Sequence, residues 1–226
     1  MKFVLTAVMA VSLFAVACED PAANKTKATV SEPSTNSANS TNTSNTGNTA
    51  PAAPVATKGE ALAINGDNSK VEFTGSKVTG KHDGGFKTFT GTIDLVNSKP
   101  AESSVTVDID AASVYSDDEK LTGHLKSADF FDVEKFPKAS FKSTKIEADA
   151  AKGADAYTVT GDFSLHGVTK SISFPATIKA DADAVDVNAE FAVNRKDFGI
   201  VYAGKADDLI RDDVVIKLTL KAPRKK

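Results

Sequence analysis

Beyond residue 60, apolar and polar residues alternate with a period of two along most of the chain. Tyr157, Val159, Gly161, Phe163 and Leu165 alternate with Thr158, Thr160, Asp162 and Ser164. Val185, Val187, Ala189, Phe191 and Val193 do the same with Asp186, Asn188 and Glu190. The rhythm recurs through residues 71–73, 89–95, 105–109, 172–178 and 214–220. Successive strand side chains point to opposite faces, so the pattern predicts strands with one buried and one wet face, hence an antiparallel sheet. With a segment at 139–146 and a short one near Leu62, about eight strands are expected, spaced as in a sandwich or a closed barrel. One short helix interrupts them. Ser116 and Glu119 fit a capping box, after which Leu121 and Leu125 share a face and the helix ends near Ser127.

The inward positions carry Phe73, Phe89, Phe141, Phe163, Phe174 and Phe191, with Gly75, Gly91, Gly161, Ala176 and Ala189 among them. Small residues on an inner face leave room for a ligand, or they relieve strain where a barrel bends. The six phenylalanines suit the lining of a pocket for a long-chain lipid, and packing of a core accounts for them equally. Phe130 and Phe131 follow the helix, where they either close one barrel end or seal the core.

The N-terminus reads as an address. Lys2 precedes an apolar run over residues 3–16, broken only by Thr6 and Ser12. That run is too short to cross ~30 Å of hydrocarbon and matches a signal-peptide core. It ends in Ala15-Val16-Ala17-Cys18, which resembles a bacterial lipobox, with Ala15 where Leu is usual. The resemblance implies cleavage after residue 17 and acylation of Cys18, the chain's one cysteine. More than one acyl chain is needed for a stable anchor, and a triacylated cysteine supplies that. Residues 18–58 are rich in Asn, Ser, Thr, Ala and Pro and lack aromatics, which predicts a disordered linker with a reach of ~35 Å. The domain then occupies 59–223, and Arg224, Lys225 and Lys226 form a basic tail. A formal net charge of −3 with no basic excess argues against a nucleic-acid partner.

Several runs in the domain resemble the YceI-like family over roughly residues 60–222. They are Ser69-Lys70-Val71-Glu72-Phe73, Gly85-Phe86 through Gly91-Thr92-Ile93, the run from Leu121 to Asp132, and Phe136-Pro137-Lys138-Ala139-Ser140-Phe141-Lys142-Ser143. Leu165-His166-Gly167-Val168-Thr169-Lys170 and Asn194-Arg195-Lys196-Asp197-Phe198-Gly199 complete the set. Ser171 stands where the family usually has Pro. The resemblance implies an extended lipocalin-like antiparallel β-barrel, secreted or periplasmic, whose tunnel takes a polyisoprenoid or fatty-acid amide.

Catalytic and metal chemistry find little support. His82, in an expected turn, His124, on the helix, and His166, in a hairpin, have no ligand spacing, and no metal or other cofactor is expected. There is no G-x-S-x-G elbow and no cysteine in the domain, so a non-enzyme is expected. Lys77, Lys81 and Arg195 are candidates for a lipid head group by their position in or beside loops. The expectation is a lipid-binding protein of the periplasm, held at the outer rather than the inner membrane by lipidated Cys18. A ligand-free envelope module and an auxiliary partner of a membrane redox protein are the alternatives.

Overall fold

The structure, a computed structural model, describes residues 20–33 and 59–224. The signal segment 1–17, Cys18, linker residues 34–58 and the tail residues Lys225 and Lys226 lie outside these. In chain order the elements are β1 (Thr29–Ser31), β2 (Glu60–Asn65), β3 (Lys70–Lys77), β4 (Gly80–Phe86), β5 (Phe89–Leu95), β6 (Ser104–Asp110) and β7 (Val114–Ser116). There follow α1 (Glu119–Leu125), β8 (Lys138–Ala148), β9 (Ala156–Leu165), β10 (Val168–Ala180), β11 (Ala184–Asn194), β12 (Gly204–Lys205), β13 (Asp208–Leu209) and β14 (Asp213–Pro223).

Alternation becomes one antiparallel sheet in the order β2-β5-β6-β8-β9-β10-β11-β14-β3-β4-β7, with β1 added on β10 and β12–β13 as a separate hairpin. The same three chain segments pair twice, as β2-β5-β6 and as β3-β4-β7. Short bends at residues 66–69, 87–88 and 111–113 separate the two triples. Because β6 continues to β8 while β3 pairs with β14, these bends curl the sheet into a barrel. Where the curl meets itself, Arg224 ion-pairs with Glu60 at 2.8 Å. Inward residues of all the long strands share one core, in which Phe174 and Phe191 stack at 4.2 Å.

Three details depart from the sequence reading. More strands form than the eight or so expected, among them β1, β7 and the β12–β13 hairpin, and the polar, glycine-rich segment holding His82 is strand β4 and not a turn. The helix cap is Asp118, whose carboxylate accepts the Leu121 N–H at 2.7 Å, and the helix ends at Leu125. Ser116 is the last residue of β7, and its hydroxyl donates to the Asp118 carbonyl instead.

The third departure concerns the linker. Residues 20–33 are not a free tether but run along the barrel wall. β10 and β11 pair with each other only over residues 177–180 and 185–188. In the gap beyond, Ala28 donates to the Ala192 carbonyl at 2.8 Å, and Ala192 donates to Thr26 at 2.9 Å. β1 then pairs with Ser171, Ile172 and Ser173 of β10. Ala22 is 2% exposed, seated against Ala192 and Val215. Lys25–Glu190, Lys27–Asp213 and Lys170–Glu32 ion pairs flank the strap. Composition predicts disorder because the strap brings little apolar area, but unpaired strand edges offer it backbone hydrogen bonds, and a buried unpaired backbone group is costly.

Candidate functional site: an apolar cavity in the barrel

The inner faces of the strands do not meet everywhere, and a cavity of about 220 Å³ remains along the barrel. Its wall is built almost entirely of Phe, Val, Ile and Leu side chains from opposite sides of the sheet. Glu72 and Arg195 are the only charged residues in it, with Ser103 and Ser104 the other polar side chains. Such a wall rewards an apolar chain and gives a polar ligand almost nothing to bond.

Five of the six inward phenylalanines read from the sequence border this space: Phe73, Phe141, Phe163, Phe174 and Phe191. Register sets some of them together, since Phe141 faces Phe163 across β8 and β9, and Phe141 lies 5.7 Å from Phe174. Phe89 is buried in the core but outside the cavity wall. It stands at the first position of β5, beside the bend at Gly66, so alternation gives its face correctly but not its depth.

The glycines divide between the two roles proposed for them. At Gly75 a Cβ would meet no atom within 4 Å, and this residue borders the cavity. Gly91 and Gly161 are close-packed instead: a Cβ at Gly91 would come 2.6 Å from the Thr106 carbonyl oxygen. One at Gly161 would come 2.5 Å from that of Lys142 and overlap the Phe141 ring. Gly75 therefore contributes volume, whereas the other two permit close strand and ring contact.

One end of the cavity is closed by a second apolar cluster. Val114, Leu125, Phe130 and Ile200 are its buried members, with Phe131 packed against them. Phe131 meets Phe86 at 5.6 Å and Phe73 at 6.4 Å, both edge-on. Phe130 packs on His124 at 4.9 Å and Tyr202 at 5.4 Å. His124 is held by Asp129 at 2.8 Å, and His166 bonds the Phe198 carbonyl at 3.2 Å. Neither histidine is in the cavity wall, and no cluster of metal-ligating side chains occurs among the described residues. Burial, then the negative charge of Glu72, raises the Tyr115 phenol above its ordinary value at this end.

The three cations differ in their surroundings, although Lys77 and Arg195 both lie against Ile210. Arg195, 5% exposed, is the only one in the wall. Its guanidinium donates to the carbonyls of Ile200 at 2.7 Å, Arg211 at 3.1 Å and Ile210 at 3.4 Å, and lies 3.4 Å from Asp212. Burial holds its pKa below the ordinary value, and the charge of Asp212 offsets only part of that. Arg195 thus clamps the loop between β11 and β14. Lys77 pairs with Asp208 on the rim, and Lys81 is exposed on β4.

Sequence reasoning did not single out Phe86 or Phe198 as lining. Phe198 is fully buried at the end of a 3₁₀ turn (Arg195–Phe198) capped by Asn194, and its ring lies 5.1 Å from Phe163. The left-handed Gly199, at φ 76°, ends that turn and lets the chain reverse. The Asn194-to-Gly199 run was the available signal.

The YceI-like domain model matches residues 62–222. A UPF0312 protein of Pseudomonas putida (strain W619) is 36% identical over 140 residues, 59% of this chain and 71% of that protein. Among solved structures, Burkholderia cenocepacia BcnA gives a TM-score of 0.62 at 24% identity, covering 70% of this chain and 99% of BcnA. A polyisoprenoid binding domain from Saccharophagus degradans, implicated in plant cell wall breakdown, gives 0.57 at 17% identity, covering 74% and 100%. The last two comparisons establish a shared fold. With the family match running from β2 to β14, this chain is a member of the YceI-like domain family.

Proposed function

We propose that this protein binds one long apolar chain, of the polyisoprenoid or fatty-acid amide type, inside its barrel. The carrying observation is the cavity wall, apolar on all sides with Glu72 and Arg195 its only charges. The family, and a structural neighbour described as a polyisoprenoid binding domain, agree with that chemistry. The reading is one of binding and carriage, not catalysis. A charged head group belongs at the rim, near Lys77 and Lys81, because Arg195 is committed to carbonyls.

The same proposal places the protein in the bacterial periplasm, held at a membrane by acylated Cys18, with the outer membrane favoured. No helix among the described residues is long and apolar enough to cross a membrane. Protein purified from its native envelope, extracted and examined by mass spectrometry, carries a stoichiometric apolar ligand on this account. Recovery of none, together with failure to load one, refutes it. Labelling with a palmitate analogue, lost in Cys18→Ser, tests the anchor separately.

A further inference from the structure

Among the described residues, three large apolar side chains are exposed: Val78 at 54%, Val201 at 65% and Leu209 at 49%. They lie at one end of the barrel. Val78 sits in the turn between β3 and β4, and its N–H donates to the Leu209 carbonyl at 3.1 Å. Val201 opens the loop whose Ala203 carbonyl accepts the Ile210 N–H at 2.9 Å. The loops at the opposite end carry no exposed large apolar residue.

The N-terminal strap begins at the same rim. Arg211, two residues from Leu209, pairs with Asp20 at 3.5 Å. The Asp20 carboxylate also accepts the Ala22 N–H at 2.9 Å, and Ala22 is buried against Ala192 and Val215. One residue, Glu19, separates Asp20 from Cys18. Two residue steps limit the distance between their Cα atoms to roughly 7 Å.

We propose that this rim is a membrane-docking surface whose occupant is a lipid bilayer. Val78, Val201 and Leu209 enter the leaflet that holds the acyl chains of Cys18, and the Phe198–Ile200 end of the cavity rests at the bilayer surface. Apolar side chains leaving water for the acyl boundary favour this pose, and the opposite end offers none. The inference rests on acylation of Cys18 and deepens it: the anchor fixes an orientation as well as a location. The anchor then holds the barrel at the bilayer without a ~35 Å tether between them.

The chain has no tryptophan, which makes the test direct. Full-length Leu209→Trp is expressed with its own signal, extracted and reconstituted into phosphatidylethanolamine–phosphatidylglycerol vesicles with brominated acyl chains. Its emission shifts to the blue and is quenched, whereas Ala151→Trp, in the exposed β8–β9 loop, emits as it does in water. Equal quenching of both reporters, or quenching of neither, overturns the docking surface. Mass spectrometry of the N-terminal peptide tests acylation on its own. Should Cys18 be unmodified, the anchor reading falls, and chains beginning at Cys18 are coupled through its thiol to a maleimide lipid. The same two reporters then decide the docking surface by the same criterion.

Discussion

Filling the cavity at Gly75 separates binding from folding. This residue lies in β3, borders the cavity, and has no atom within 4 Å of where a Cβ would stand. Its backbone is not among the positive-φ positions, so a side chain adds no strain there. In Gly75→Phe the ring takes the room of roughly one five-carbon isoprenoid unit. At ~0.8 kcal/mol per methylene, excluding that unit costs the ligand about 4 kcal/mol, or close to a thousandfold in affinity. Stability should hold or rise, because a strand glycine is replaced by a residue with high strand preference in empty apolar space. Titration with a fluorescent long-chain probe and thermal melting measure the two quantities. The matched control is Gly161→Val, where the new side chain would overlap Phe141 and the Lys142 carbonyl and destabilise by ~1–3 kcal/mol. Undiminished binding by a folded Gly75→Phe protein refutes the assignment of the cavity.

Other consequences are testable in the same preparation. Arg195→Met strips charged donors from the Ile200, Ile210 and Arg211 carbonyls and should destabilise by about 3 kcal/mol in urea unfolding. Ala22→Glu puts a carboxylate against Ala192 and Val215, so hydrogen exchange should accelerate at the Ala192 amide as the strap lifts. Burial alone would raise the Asp117 pKa, but hydrogen bonds from His82 and the Asp83 N–H hold it below its ordinary value. That contribution is complete above the unfolded carboxyl value and is lost as pH falls through the lower folded one. Acid unfolding of Asp117→Asn should therefore be less steep than that of the wild type below about pH 4.

Much of the barrel was legible because its long strands alternate strictly. β5, β6, β8, β9, β10, β11 and β14 each lie where the period of two places them. β4 was not, since three of its seven residues are glycine and Phe86 is its one large apolar side chain. Gly84 and Gly85 are there because the Phe73 ring and Tyr115 occupy the space a Cβ would need. That demand comes from neighbours in space and leaves no periodic trace. The strap was hidden for a related reason: its fit depends on backbone bonds to Ala192 and on one small side chain, Ala22.

The lining residues show the same limit. Alternation assigns a face, so five of six phenylalanines reach the cavity wall, while Phe89 lies outside it because position along the barrel is set by the bends. Arg195 stands in a run that the family resemblance marks, but its residue type alone cannot say whether it faces a ligand or its own loop. The carbonyls of Ile200, Ile210 and Arg211, which lie 5, 15 and 16 residues beyond Arg195, answer that only once the chain is folded.

The central claim, that the cavity holds a long apolar chain, is met most directly by calorimetric titration with fatty-acid amides of increasing length. The account predicts that affinity climbs by roughly fourfold for each added methylene, at ~0.8 kcal/mol apiece, until the cavity is full, with a negative heat-capacity change. Affinity that does not depend on chain length, or no binding by any member of the series, would contradict it.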